Sequence, residues 1–498
     1  MTATQNQPAT GQATATGQHT PDQSAATLGR QLAEFAAAYG PGGRPLPEAV
    51  TRSVAQRVLD ILGIAVAATS LPTSAAVIEL ARERGGRPAA RAIGLTGRVP
   101  ASEAALVHGV LAHSLDYDDT HLPSVLHPSA SVVPAALAAG DEVDADGAQV
   151  TAAIAVGLEI CVRVGMAGYD RASGVNRYFE RGQHATSLCG ALGSAAAAAK
   201  LYRLDADGIL HALGIAASMA SGIIEGNRTG GTVKRMHCGW AAHAGVWAAQ
   251  LAQRGFTGPE TLLEGRFGLF QAFLGGEFDA EAVTEGLGRR WEVPGIFFKP
   301  YPANHFTHAG IDAAIALRER GLRAADVAAV ELGVPTATVR TIGEPLAVKQ
   351  APETGYQAQF SGPYTIAAAL LGGGGLGLGL DDFTDELARD PVRRELMGRV
   401  TVVADARCDA IFPNQFPAVL RVRTHDGTWL EEAVLANRGG SERPLSDDEV
   451  AGKFRDNAAR VLPAERVEAI AAAARALPDA PSIDDLLGAL TAADGVPR

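Results

Sequence analysis

The densest polar run in the chain is His113-Ser-Leu-Asp116-Tyr-Asp118-Asp119-Thr120-His121, followed by His127-Pro128-Ser129. Carboxylates, imidazoles and hydroxyls crowd into it directly after an apolar helical stretch. A histidine oriented by an aspartate moves protons near neutral pH, so one chemistry is general acid–base catalysis. The other is metal binding, which the Asp118-Asp119 pair suggests. The Asp-Asp-x-x-Asp form is broken, however, because Leu122 stands where the third Asp should be. No His-x₃-His pair offers zinc two ligands on one helix face either. The bland alternative is a solvated helix end with capping aspartates. Three of only 12 histidines spent here argue against it. Asp116 and Thr120 are four apart and share a face if the helix continues.

Three further clusters could bind or react. Arg181-Gly-Gln-His184-Ala-Thr186 precedes the run Ala195–Ala199. Taken alone, His184 reads more readily as a satisfied core residue. In Arg228-Thr-Gly-Gly-Thr-Val-Lys234-Arg235-Met-His237, the glycines and Thr232 can open a helix whose first N–H groups suit an anion. Lys234 and His237 then share a face. The Walker spacing is missing, so a carboxylate fits better than a nucleotide. Lys299-Pro-Tyr-Pro-Ala-Asn304-His305-Phe-Thr-His308 falls at an expected domain junction, where ligand clefts form. The formal Gly-x-Gly-x-x-Gly in Gly372–Gly379 follows a helical run rather than a strand, and reads as a flexible loop.

The elements that must position these residues are mostly helices. Residues 1–26 carry almost no large apolar side chain and are expected to be disordered. Residues 27–293 are Ala- and Leu-rich with helical periodicity, as in Ser53, Val54, Val58, Leu59, Ile61, Leu62 and Val66. Asp205 reads as an N-cap before Ile209, Leu210 and Leu213. The character changes near 294. Val327–Val334, Val400–Val403 and Ala418–Val422 are short β-branched runs, and His425-Asp-Gly427 is a hairpin turn between Ala418–Val422 and Trp429–Val434. Residues 294–438 are therefore expected to form a smaller α+β lid. Ser446-Asp-Asp-Glu449 and Ser482-Ile-Asp-Asp485 read as capping boxes opening helices in a segment, 439–498, that returns to the first domain. The fold class expected is mainly α: a large all-helical domain built from both chain ends, plus the lid.

Composition excludes several functions. The 498 residues carry a formal charge of −12, so no basic stripe for nucleic acid is expected. Only five of 43 basic residues are lysines: Lys200, Lys234, Lys299, Lys349 and Lys453. Four scattered cysteines without a CxxC pair argue for a reduced, cytoplasmic compartment rather than a disulfide or zinc framework. No apolar run reaches the ~18 residues of a membrane span, and no signal peptide is visible. The many Arg and Ala residues suggest a GC-rich, bacterial source.

Assembled in order, the segments resemble the 2-methylcitrate dehydratase (MmgE/PrpD) family. The matching pieces are His113-Ser-Leu-Asp-Tyr-Asp-Asp-Thr120, His127-Pro-Ser129, Gly157-Leu-Glu-Ile160, His184-Ala-Thr186, Ala212-Leu-Gly-Ile215, Lys234-Arg-Met-His237, Gly255-Phe-Thr-Gly-Pro259, Lys299-Pro-Tyr-Pro302 and Phe360-Ser-Gly-Pro-Tyr364. The resemblance implies a homodimer, no metal or organic cofactor, and a site in the cleft between the domains for a small di- or tricarboxylate. It implies Asp116, His127, His184 and Tyr364 as catalytic groups, with Thr120, Lys234 and Lys299 beside them. His237, Arg228 and Asn304 are added as substrate-binding candidates. Asn304 departs from the His of decarboxylase relatives and the Cys of many dehydratases, and the stretch from Thr120 to His127 is one residue longer than in the decarboxylases. In this reading His127 moves the proton, Asp116 orients it or acts as its counter-ion, and Lys234, Lys299 and Arg228 hold carboxylates. The expected reaction is dehydration of a 2-methylcitrate-like acid. Decarboxylation of a cis-aconitate-like acid, epimerisation of a dicarboxylate, and polycarboxylate binding without catalysis stay open.

Overall fold

The computed structural model describes residues 26–170, 175–226 and 231–491. The expected disordered tail and Arg228 lie outside the described residues, except for Ala26. The chain is mainly α. Its principal helices are α1 (Leu28–Ala38), α2 (Glu48–Ala68), α3 (Ala101–His113), α4 (Ser129–Glu142), α5 (Gly147–Met166), α6 (Ala185–Leu201), α7 (Ala206–Met219), α8 (Val233–Gln253), α9 (His308–Glu319), α10 (Gly362–Leu371), α11 (Asp447–Ala458), α12 (Ala464–Ala476) and α13 (Asp484–Thr491).

Two large apolar cores divide the described chain. The first draws on residues from Leu32 to Phe298 and again from Leu445 to Leu490. The second runs from Tyr301 to Val434. A small third cluster, Leu122, Phe297 and Phe416, joins the polar-run loop to the smaller part. The apolar positions of α2 picked out by periodicity are all buried, and Asp205 caps α7 through Gly208 N. Ser446 and Glu449 form the expected reciprocal capping box on α11. At the start of α13, Ser482 Oγ accepts from Asp484 N.

The smaller part holds one four-stranded sheet: β1 (Val327–Val334), β2 (Val400–Ala404), β3 (Ala418–Thr424) and β4 (Trp429–Val434), in the order β2-β1-β3-β4. β1 runs parallel to β2 and antiparallel to β3, and β3–β4 is the predicted hairpin. The glycine run is not loose. Asp382 Oδ2 accepts from Gly374 N at 2.9 Å and Gly379 N at 2.8 Å, so one carboxylate pins the loop. One expectation needs correction. Helix α5 is by length and hydropathy able to cross a membrane, yet 89% of its apolar window is buried in the first core.

Two contacts matter most for the site. First, α3 and α8 cross at Gly109 and Gly239. A Cβ on Gly109 would meet Gly239 Cα at 2.7 Å, and one on Gly239 would meet Leu106 O at 2.5 Å. Only glycine permits that approach, and it brings the end of α3 beside the start of α8. Second, α11 returns to α2 and delivers Lys453 into the interior. Its ammonium lies 2.7 Å from Asp60, donates to Tyr117 O at 2.9 Å and stands 3.8 Å over the Tyr117 ring. Burial raises the Asp60 pKa to about 6, against the pull of Lys453. Removing one partner of a fully buried pair leaves the other charge uncompensated. We predict that Lys453→Met lowers unfolding free energy by about 3–5 kcal/mol, measured by urea denaturation at pH 7.

Candidate active site

The polar run sits where helix ends converge. Helix α3 stops at His113, so Asp116 and Thr120 share no helix face; both lie in the loop that follows. Asp116 adopts a left-handed backbone, φ 52°, which is unusual for a residue with a Cβ and is tolerated where surroundings over-determine it. The surroundings here are two lysines. Lys234 Nζ lies 2.9 Å from Asp116 Oδ1, and Lys299 Nζ lies 3.5 Å from Oδ2 while donating to the Asp116 carbonyl at 2.9 Å. Burial would raise the Asp116 pKa, but the two ammonium groups and His127 hold it well below the usual carboxylate range. Lys234 is raised in turn: burial would lower it, and Asp116 overrides that.

His127 precedes α4. Its Nδ1 lies 2.7 Å from the backbone carbonyl of Asp119 and 3.3 Å from Thr120 Oγ1. A carbonyl only accepts, so Nδ1 carries the hydrogen and Nε2 presents its lone pair. Burial drives the imidazole pKa down to about 3; the Asp118 charge opposes this, and Lys299, His113 and Lys234 add to it. The geometry corrects one expected role. Asp119, not Asp116, orients His127, and it does so through its backbone. Its side chain meanwhile pairs with Arg57 at 2.8 Å and accepts from Ser129 N at 3.2 Å and from Ser129 Oγ. Arg57 is fixed by the carbonyls of Val293 and Ile296 at 3.2 and 2.6 Å. The Thr120 backbone forms an antiparallel bridge with Phe297, two residues before Lys299.

His184 is the N-cap residue of α6, and His237 lies in the second turn of α8. Their Nδ1 atoms are 2.8 Å apart, so one donates and one accepts. Burial, then His113 and Lys234, push His237 down to about 4; His184 is lowered further by burial and the surrounding cations. His237 therefore meets another imidazole.

Tyr364 is not brought to the site. It is in the first turn of α10, buried in the second core, and its hydroxyl donates to the Asp382 carbonyl. The aromatic residues that the smaller part turns toward Lys234 are Phe360, with its ring 5.9 Å from Nζ, and its neighbour Tyr356, stacked under Arg235. Asn304 spends its side-chain oxygen on Phe306 N at 3.1 Å, capping a short turn. Its backbone N–H reaches Gln359 O, and the Gln359 amide reaches Leu115 O beside Asp116. His121 turns to Ser124, 2.7 Å away.

Three participants were missed. His113 Nδ1 bonds Asp118 Oδ2 at 2.7 Å, a fully buried dyad. Both residues stood in the polar run, but a spacing of five across a helix end does not say that they meet. Arg57 interrupts the apolar face of α2, and that interruption is its signal. Among the described residues no three His, Cys, Asp or Glu side chains converge as metal ligands do.

Sequence patterns settle the relationship. That of the MmgE/PrpD N-terminal domain matches residues 30–281, and that of the C-terminal domain matches 301–479. The chain belongs to the MmgE/PrpD family. Within this family it is similar to the cis-aconitate decarboxylase of Mus musculus, 29% identical over 87% of this chain and 88% of that one. It is 30% identical to the Homo sapiens cis-aconitate decarboxylase over 75% of this chain and 76% of that one. A 2-methylcitrate dehydratase of Cupriavidus necator is 30% identical over 35% of this chain and 36% of its own.

In this MmgE/PrpD site, a lowered imidazole pKa means that the base form of His127 persists as pH falls. If His127 is the base in the free enzyme, the acid limb of kcat/KM lies below about pH 5, not near the ordinary imidazole value of about 6.5. A kcat/KM profile from about pH 4.5 to 8 checks it.

Proposed function

We propose that the protein is a lyase acting on a small tricarboxylate, breaking a bond at a carbon next to a carboxylate and moving a proton there through His127. One observation carries this reading: a neutral imidazole with its Nε2 lone pair free stands in the same cluster as two lysine ammonium groups that share a single carboxylate, Asp116. The two ammonium groups share the Asp116 carboxylate between them, so each keeps N–H donors that can meet the carboxylates of an anionic substrate. The lysines offer ammonium groups for substrate carboxylates and for the charge that grows as an enolate-like intermediate forms.

Of the reactions open to such a site, decarboxylation of a cis-aconitate-like acid is favoured over dehydration. The likeness to decarboxylases extends over most of the chain, whereas the likeness to a dehydratase covers about a third of it. In decarboxylation the bond to the departing carboxylate breaks and its electron pair stays on carbon. CO₂ leaves, and His127, once its free Nε2 has taken up a proton, delivers that proton to the carbon. Dehydration of a 2-methylcitrate-like acid is the second reading, supported by the likeness to a 2-methylcitrate dehydratase over about a third of the chain.

An NMR time course in D₂O with cis-aconitate, 2-methylcitrate and iminodisuccinate separates the outcomes. We expect loss of CO₂ from cis-aconitate with one deuteron placed on the product. Alkene formation from 2-methylcitrate supports the second reading, α-deuteration alone indicates epimerisation, and binding without change sinks the catalytic reading. His127→Gln should stay folded and lose roughly 10²–10⁴-fold in kcat, the usual contribution of a general acid–base group.

A further inference from the structure

Tyr364 lies away from the site, but another tyrosine of the smaller part faces it. Tyr356 stands in the single helical turn Gly355–Ala358, which is fixed from several sides. Thr354 caps it through Gln357 N, and Gly355 N donates to Asp385 at 2.8 Å. A Cβ on Gly355 would overlap the Phe383 carbonyl, so the turn is pressed against neighbouring backbone. The Tyr356 ring packs against the Arg235 guanidinium, 5.3 Å from its centroid, and against the Phe360 ring, also at 5.3 Å. Phe360 in turn lies 5.9 Å from Lys234 Nζ. Arg235 is anchored on its other side, donating to Thr73 Oγ1 at 2.9 Å. Lys299 is buried, Lys234 is half-buried and Tyr356 is 40% exposed, so exposure rises from Lys299 to a rim at Tyr356. The Tyr356 hydroxyl finds no hydrogen-bond partner among the described residues. Burial raises its pKa; Lys234, Asp116 and Arg235 are the charges that act on it, and the phenol stays protonated and able to donate. Lys234 responds to Asp116 first and to Tyr356 next, which puts the phenol at the edge of the lysine cluster.

We propose that Tyr356 is a third binding point for a tricarboxylate: its hydroxyl donates to the carboxylate left over once Lys234 and Lys299 have each taken one, and Arg235 holds the ring in place. The proposal rests on the tricarboxylate reading above. Two ammonium groups supply two carboxylate positions, a tricarboxylate brings three, and the phenol is the donor at the rim that the protein leaves unused. A phenol O–H donating to a carboxylate makes a charge-assisted bond, stronger than one between neutral groups. The guanidinium over the ring fixes its tilt through a cation–π contact and adds positive charge where the outermost carboxylate sits. A dicarboxylate is satisfied by the two lysines and gains nothing from the phenol. Tyr356 therefore selects by the number of carboxylates. Arg235 is a positioning residue that acts through it.

Binding decides this without any turnover. Dissociation constants of propane-1,2,3-tricarboxylate, glutarate and methylsuccinate are measured by calorimetry on the wild-type protein and on Tyr356→Phe; the last two acids each lack one carboxylate of the first. The variant removes an exposed hydroxyl that bonds to no described residue, so it should fold. Expected is binding of the tricarboxylate about 10-fold weaker, the usual size of a hydrogen bond to a charged group, with each dicarboxylate within about 3-fold. Arg235→Met should weaken the tricarboxylate by about 3-fold or more and Arg235→Lys should recover most of that, while Arg235→Met added to Tyr356→Phe should cost less than about 2-fold further, because residues that act through one another are not additive. Equal weakening of all three acids, or a double variant whose losses simply multiply, overturns the proposal. If the wild-type protein binds the tricarboxylate and Tyr356→Phe binds it equally well, the Tyr356 assignment fails and the tricarboxylate reading stands. If the wild-type protein binds none of the three acids, the tricarboxylate reading has failed and the third binding point falls with it.

Discussion

Everything around the site depends on neutralising one buried polar segment. Residues 113–129 carry Asp116, Asp118 and Asp119 into an interior built largely from Ala, Val and Leu. An isolated carboxylate there would be prohibitively costly, so each needs a dedicated partner. Asp116 has Lys234 and Lys299, Asp118 has His113, and Asp119 has Arg57 and Ser129. Tyr117 between them gives its carbonyl to Lys453. The partners come from α2, α3, α4, α8, α11 and the segment at Lys299, which is why elements so far apart in sequence must meet here. Buried pairs of this kind contribute little net stability; what they impose is one arrangement.

The lysines show how sparingly that is done. Three of the five, at 234, 299 and 453, hold the two residues Asp116 and Tyr117. The other two also bind backbone carbonyls: Lys200 that of Ala36, and Lys349 those of Thr341 and Phe360. The 38 remaining basic residues are arginines, many of them in ion pairs at the surface. A compact ammonium fits a single carbonyl or shares one carboxylate with a second lysine; a planar guanidinium spreads its five donors, as Arg57 does across Ser53, Asp119, Val293 and Ile296.

Much of the fold was legible because local rules and tertiary demands agree. The apolar faces of α2 and α7, the capping box of α11 and the β3–β4 hairpin formed as periodicity and capping chemistry require. The candidate site was legible in membership more than in wiring. His127, Lys234, Lys299 and Asp116 do gather. Tyr364 does not, because the third residue of a helix that is apolar all round turns into the nearest core, and its hydroxyl found a carbonyl there. The glycine run looked loose because its tether, Asp382, lies several residues beyond it.

The sequence by itself determined which groups are present and which stretches are helical or extended, since both follow from side-chain chemistry and short-range spacing. It also determined the family, through motifs in order along the chain. Only the tertiary structure decided which groups touch. That Asp119 orients His127 by its backbone and that Asp118 serves His113 depend on the close crossing at Gly109 and Gly239 and on the return of α11. Such contacts join residues tens to hundreds of positions apart. Spacing along a chain carries no information about them; packing does.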